Sequence, residues 1–389
     1  MTPALSNASW HERHLARRLE ARGEVGLVDA LLGFKGIVVA GRHRIESLYA
    51  VGGEGAVYLT RDLSNPAAGC SVAKIALLPL HKPFRLDARA IRRQREGIRI
   101  EARYLHGSGS RFLPTHEALL EFENPLLDSA RGGAFGEPEP LLLMEKLPGR
   151  DLDRWLARMH RSGVPRAHMR RTLDRVTVVL LQALVDLYDR GFFYADLRPA
   201  NLRVIGRPER VVRLLDAGSL VTVHDQSGRF PHVPAYLPPA LFRERLAGRK
   251  ITPSAATQAV MAGRTLYEVA TGLVPHPGDD VNLALLRDSN VSPPVAEVID
   301  GLCRGDFVHV RHAYRFLAKR ASRRVHGGND PTKVTQNVVD EELPQSVNGN
   351  NAAAPAAALV AKPSSSVDTA PGASTRSGGL FRWLRRLFQ

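Results

Sequence analysis

Cysteine is nearly absent from this chain. Cys70 and Cys303 are the two in 389 residues, so neither a disulfide scaffold nor a cysteine-rich zinc site can be built. That scarcity fits a reducing compartment, and a cytoplasmic location is the expectation. Aromatic residues make up 6% of the chain, and the aromatic-plus-basic pattern of an RNA-reading sheet does not occur. Long apolar runs are missing as well, none approaching the length of a membrane-spanning helix. The opening residues do not follow the basic, apolar, small-residue order of a secretory signal. No regular internal repeat is present.

What is there suits a folded protein. With 44% of residues hydrophobic and 24% charged, the chain can bury the core of one large domain or two ordinary ones. Lys and Arg number 54 against 39 Asp and Glu, a formal net charge of +15. The excess favours anionic partners without choosing among nucleic acid, anionic lipid and phosphate-bearing ligands. Its arginines cluster at 85–103, 150–175 and 319–324. Solvated helix faces account for most of these runs, and a nucleic-acid partner is not expected.

The hydropathy pattern changes several times along the chain. Residues 8–32 read as one helix, with Leu15, Leu19, Val28, Leu31 and Leu32 on a stripe that Gly23 and Gly26 weaken. From Gly41 to Ile75 strands take over, and 85–106 is an arginine-rich helix. Short apolar runs follow at Ala118–Phe122 and Leu141–Met144. Beyond Pro148 the chain turns helical, with buried-looking helices at Val176–Tyr188 and Ala259–Thr271 and a last helical region from Pro294 to about Lys319. The fold class is therefore α+β in two lobes. The expected divisions are a helical extension (1–40), a strand-rich lobe (41–147), a helical lobe (148–330), a disordered Ala/Pro/Ser-rich linker (331–379) and an amphipathic terminus (380–389).

Four separated features carry chemistry. The turn Ala50-Val51-Gly52-Gly53-Glu54-Gly55-Ala56-Val57 lies between two strands; it is either a plain hairpin or a cradle whose N–H groups approach phosphate oxygens. Lys74 ends the apolar strand Ser71-Val72-Ala73 and needs an anion, either a ligand phosphate or the Glu101 carboxylate of the following helix. Asp196, Arg198 and Asn201 put a carboxylate, a cation and an amide oxygen on one short loop, as proton acceptor, phosphate neutraliser and metal ligand, or else as local backbone caps. Asp216 ends the apolar run Leu214-Leu215 and pairs with Asn201 as a set of oxygens for Mg²⁺.

In this order the features resemble the protein-kinase superfamily, in particular bacterial Hanks-type Ser/Thr kinases, over about Gly41 to Lys319. Three further segments share the resemblance. Leu142-Leu143-Met144-Glu145-Lys146-Leu147 looks like the hinge, Val233-Pro234-Ala235-Tyr236-Leu237-Pro238-Pro239 like the end of the activation segment, and Gly263–Gly272 like the buried helix after it. The resemblance implies ATP and Mg²⁺ as cofactors and a protein Ser/Thr acceptor. It implies that Gly52, Gly53 and Gly55 cover the phosphates and that Val57 lies over the adenine. Met144 would be the gatekeeper, with Glu145 and Leu147 offering backbone to the base. Lys74 would hold the α- and β-phosphates and pair with Glu101. Asp196 would accept the hydroxyl proton, Arg198 would stand by the γ-phosphate, and Asn201 and Asp216 would hold the metal.

The chain departs from the family pattern at several points. Ala50 replaces the first glycine, and Tyr194-Ala195 replaces His-Arg, which leaves no docking cation for a phosphorylated loop. Ala217 stands for a packing phenylalanine and Arg203 for an apolar residue beneath the adenine. Ala240 replaces the glutamate that ends the activation segment, so Arg311 or a neighbour is expected to lack its usual partner, and Gln258 replaces an aspartate. None of these removes a phosphate or metal ligand, but all weaken the scaffold. A pseudokinase scaffold and a kinase of small molecules or lipid-linked sugars therefore stand as alternatives to a protein kinase.

Leu380-Phe381-Arg382-Trp383-Leu384-Arg385-Arg386-Leu387-Phe388 sets apolar residues against arginines at helical spacing, as suits an anionic membrane surface or docking onto protein. His11 and His14 lack the i,i+4 spacing of a zinc helix, and His309 and His312 read as structural.

Overall fold

The computed structural model describes residues 8–20, 25–52, 55–76, 88–124, 136–206, 211–224 and 233–326. The linker at 331–379, the terminus at 380–389 and Gly53 lie outside them. Two helices, α1 (Trp10–Glu20) and α2 (Val25–Leu32), precede β1 (Val38–Val39), β2 (His43–Val51), β3 (Gly55–Asp62) and β4 (Cys70–Ala76). Then come α3 (Ala88–Ser108), β5 (His116–Phe122) and β6 (Glu139–Met144). These strands form one antiparallel sheet in the order β1-β2-β3-β4-β6-β5. The stretch expected as one helix over 8–32 holds these two helices, and residues 21–24 with Gly23 lie outside the described residues. A capping box starts α1: the Ser9 N–H donates to Glu12 Oε2 at 2.7 Å and the Glu12 N–H donates to Ser9 Oγ at 3.2 Å.

Period-two alternation divides the sheet into two faces. Ala73 and Ile75 of β4, with Leu141 and Leu143 of β6, face the core that also holds Leu15, Leu19, Leu27, Leu31 and Phe34 of the N-terminal helices and the turn after them. Val72 and Ala76, with Leu142 and Met144, face the core shared with Ile98, Ala102 and Leu105 of α3. Lys74 lies between Val72 and Ala76 in the pleat and is directed to this second face. Its ladder partners are Val57 and Leu142.

The rest of the chain is helical around short strands. β7 (Arg150–Asp151) leads into α4 (Leu152–Arg161) and α5 (Arg166–Asp189), then β8 (Phe192–Tyr194), β9 (Leu202–Ile205), β10 (Val211–Leu214) and β11 (Leu220–Thr222). Next are α6 (Pro239–Leu246), α7 (Ala255–Thr271), α8 (Pro293–Arg304) and α9 (Val310–His326). The last helical region is therefore two helices, parted at Gly305, whose φ of +83° closes α8 in the left-handed conformation. The second-face core of the sheet continues through Leu173, Leu180 and Leu184 of α5 and Leu266 of α7. Architecture is α+β with antiparallel strands. Among the described residues no helix is long and apolar enough to cross a membrane.

Gly149, between β6 and β7, is the glycine the fold most needs. Its φ is +90°, and a Cβ there would come within 2.0 Å of the Val204 carbonyl oxygen. Gly248 has a comparable φ of +75° with nothing within 4 Å. Urea unfolding should therefore show Gly248→Ala costing about 1 kcal/mol, the strain of a left-handed residue. Gly149→Ala should cost about 3 kcal/mol or more, because backbone must also move. Equal costs would show that β9 yields freely at this point.

Candidate functional site

Lys74 is the centre of the site. Its Nζ lies 2.7 Å from Glu101 Oε2 and 2.8 Å from Asp216 Oδ1. The helix delivers Glu101 because Ile91, Ile98, Glu101, Ala102 and Leu105 share its buried stripe. Asp216 comes from the turn after β10, a 3-10 turn at Ala217–Ser219 that it caps by accepting the Gly218 N–H. Two glycines make room. A Cβ on Gly55 would sit 3.1 Å from Lys74 Cε, and one on Gly218 would sit 3.0 Å from Glu101 Oε2. The Gly52 N–H donates to the Gly55 carbonyl at 2.8 Å, so this turn donor is already engaged.

One ammonium thus serves two carboxylates. Lys74 and Glu101 are nearly out of water, with side chains 15% and 3% exposed, and Asp216 is 36% exposed. Burial alone would lower the Lys74 pKa, but the charges of Asp216 and Glu101 outweigh it and hold the ammonium protonated. Burial pushes the Glu101 carboxyl up to about 7, with the Asp216 charge adding to the rise and Lys74 opposing it. Asp216 moves the other way: burial would raise it, and Lys74 brings it below the usual carboxylate range.

Asp196 follows β8 in a loop tied to the Asp216 turn. The Ala195 N–H donates to the Ser219 carbonyl at 2.8 Å, the Leu215 N–H to the Asn201 carbonyl at 2.9 Å, and the Asp216 N–H to Tyr194 Oη at 3.4 Å. Asn201 Nδ2 donates to the Asp196 carbonyl at 2.9 Å and to Oδ2 at 2.7 Å, and Arg198 Nε donates to Oδ2 at 3.2 Å. Oδ2 is therefore fully engaged, while Oδ1 is buried with no partner among the described residues. Burial raises the Asp196 pKa, against Arg198 and Asn201, which pull it down.

The stretch between β6 and β7 carries the residues compared with a hinge. Met144 and Leu147 are buried there. The Glu145 N–H donates to the Thr115 carbonyl at 2.9 Å, and its carboxylate takes Thr115 and Arg213, the latter at 2.9 Å. Val57 is half-buried on β3. Arg203, on β9, donates to Pro148 O, Gly149 O, Asp151 Oδ1 and Tyr49 Oη, all at 2.8–3.0 Å.

Several departures have a structural answer that the sequence did not disclose. Arg311, without a glutamate at 240, pairs instead with Asp189. Arg264 of α7 is buried and donates to the carbonyls of Ala235, Asp279 and His276 at 2.8–2.9 Å. Next to it, Thr265 Oγ1 donates to the Leu197 carbonyl at 2.8 Å, steadying the residue between Asp196 and Arg198. Tyr236 donates to Glu268. Gln258 is buried, and its Nε2 finds no partner among the described residues. The hydrogen bonds of Tyr49, Tyr194, Arg264 and Thr265 are not visible in the sequence, because these side chains meet partners from other elements.

No family model matches the chain. Its likeness to a curated protein is of the protein-kinase kind, at a distance. That relative is the serine/threonine-protein kinase pkn3 of Myxococcus xanthus, 26% identical over 274 residues. The match takes in 67% of this chain and 43% of the relative, so the chain spans less than half of that protein's length.

Removing Lys74 exposes the cost of its two carboxylates. Lys74→Met should lower stability by about 3 kcal/mol, the order seen when one partner of a buried pair is deleted. The double variant Lys74→Met/Glu101→Leu should recover part of the loss. A carboxyl raised in the folded state binds a proton there before the unfolded chain does, so its contribution declines as pH rises between the ordinary value and about 7. The Lys74→Met penalty, read from thermal unfolding, should accordingly be smaller at pH 5 than at pH 7.5. A penalty independent of pH would show Glu101 ionised throughout.

Proposed function

We propose that this protein is a Ser/Thr protein kinase that moves the γ-phosphoryl group of ATP to a protein hydroxyl. The single observation that carries the reading is Asp196. Its Oδ2 is fixed by Asn201 and Arg198, its Oδ1 is buried with no partner among the described residues, and its loop is tied to the one that brings Asp216 to Lys74. A buried acceptor without a donor suits an incoming hydroxyl. The distant likeness to a Ser/Thr kinase supports the same reading.

The residues suit Mg²⁺. Both Asn201 Nδ2 bonds go to Asp196, which leaves the Asn201 amide oxygen and the partly exposed Asp216 carboxylate for a cation. Two protein oxygens with room for water and phosphate is a donor set that Mg²⁺ accepts. When bound, Mg²⁺ neutralises charge on the triphosphate oxygens. Lys74 then pairs with the α- and β-phosphates, held in place by Glu101. Gly52, Gly53 and Gly55 cover the phosphates, Val57 and Met144 border the base, and the Glu145 carbonyl and Leu147 backbone are offered to it. The acceptor oxygen attacks the γ-phosphorus in line as the bond to the β-phosphate oxygen breaks. Its proton passes to Asp196 Oδ1, and Arg198 offsets charge on the transferring group. A binding module without turnover is the second reading, favoured by Arg203, a cation at the position the resemblance gives to an apolar residue.

Transfer of labelled γ-phosphate from Mg²⁺-ATP, with the full chain itself and a generic basic protein as acceptors, tests the reading. Asp196→Asn and Asp216→Ala should each lose about 100-fold or more in rate, the order of a general base or a metal ligand. Nucleotide-dependent thermal stabilisation without transfer would move the assignment to the binding module.

A further inference from the structure

β2 and β3 lose register next to the glycine turn. Leu48 faces Tyr58 and Ala50 faces Val57, so β2 takes two steps where β3 takes one, and Tyr49 is the extra residue. A bulge of this kind turns a side chain out of the pleat toward a new target. Support comes from α1, because buried Glu12 accepts the Leu48 N–H at 3.1 Å through Oε1. The re-aimed Tyr49 hydroxyl accepts from Arg203 Nη2 at 2.8 Å, across 154 residues of chain.

Arg203 is otherwise held in place. Its Nε donates to Pro148 O at 3.0 Å, Nη1 to Asp151 Oδ1 at 2.8 Å and Nη2 also to Gly149 O at 3.0 Å. It therefore stands beside the stretch joining β6 to β7. Tyr49 precedes Gly52 by three positions, and Arg203 follows Asn201 by two. Their bond joins the strand entering the glycine turn to the strand leaving the Asp196–Asn201 loop. Val57 pairs with Ala50 of β2 and with Lys74 of β4, so the bulge lies two strands from Lys74 in the same sheet, while the bond itself lies beside Pro148, Gly149 and Asp151.

We propose that the Arg203–Tyr49 hydrogen bond is a latch over the base end of the nucleotide site, and that a nucleoside triphosphate enters when this bond opens. The proposal rests on the kinase reading above. Pro148, Gly149 and Asp151 keep the guanidinium anchored when the Tyr49 side is released, so the floor of the site stays in place while the roof separates. The closed population lowers apparent affinity by the fraction of molecules that are open.

Calorimetric titration of Mg²⁺-ATP into the full-length protein, Tyr49→Phe and Arg203→Leu tests this. Tyr49→Phe removes one hydroxyl and keeps the ring, so it should bind about five-fold tighter, the worth of one such bond. Arg203→Leu should also bind tighter, and the double variant no tighter than Arg203→Leu alone. Should Arg203→Leu fail to fold, Tyr49→Phe decides by itself. Binding that is unchanged or weaker in Tyr49→Phe, with the unaltered protein binding normally, overturns the latch and leaves the kinase reading intact. Binding by Tyr49→Phe alone supports the latch in its strongest form. No binding by any variant overturns both readings.

Discussion

An ammonium carried out of water needs its charge answered, and the answer given to Lys74 organises much of this molecule. Strand alternation directs Lys74 to the face of the sheet that α3 covers, so α3 must present a carboxylate on its buried stripe, and Glu101 does. Asp216 reaches the same Nζ from 142 residues further on. A side chain at Gly55 or Gly218 would press on Lys74 or Glu101 at 3.0–3.1 Å. Deep ion pairs recover little net stability after desolvation, so a cluster of this kind is weak evidence of a stabilising device and better evidence of a working one.

The two loop carboxylates are pushed in opposite directions. Burial raises Asp196, whose Oδ1 has no partner among the described residues, while Lys74 lowers Asp216. Carboxylates whose environments separate them in this way suit different tasks, one taking up a proton and the other staying ionised beside a cation. Three hydrogen bonds between their loops, one of them through Tyr194, keep the pair in fixed relation.

Where the chain departs from the kinase pattern, other side chains hold the scaffold. Arg264 gathers three main-chain carbonyls beneath the segment at 233–239, and Thr265 takes the Leu197 carbonyl inside the Asp196 loop. Both lie on α7, whose Gln258 is left with an unpartnered amide nitrogen among the described residues. A buried guanidinium can tie several carbonyls together, because its planar fork reaches several acceptors at once. The N-terminal helices add a further brace. Glu12 caps its own helix with one oxygen and fixes the β2 bulge with the other.

Local chemistry was readable in the sequence. Apolar alternation around Lys74, the helical stripe that carries Glu101, and the short loop joining Asp196 to Asn201 each rest on neighbours within one or two turns or strands. Periodicity and turn chemistry act over that range, so these elements and the α+β class could be read without coordinates. The same logic missed the stop at Gly305, where one expected helical region becomes two. Tertiary structure alone decided which distant groups meet. A hydrogen bond between Arg203 and Tyr49, the pairing of Arg311 with Asp189, and the orphaned Asp196 Oδ1 all depend on how separate elements pack. No period in a sequence records that, because side-chain partners are chosen by distance in space and by the cost of leaving a buried polar group unmatched.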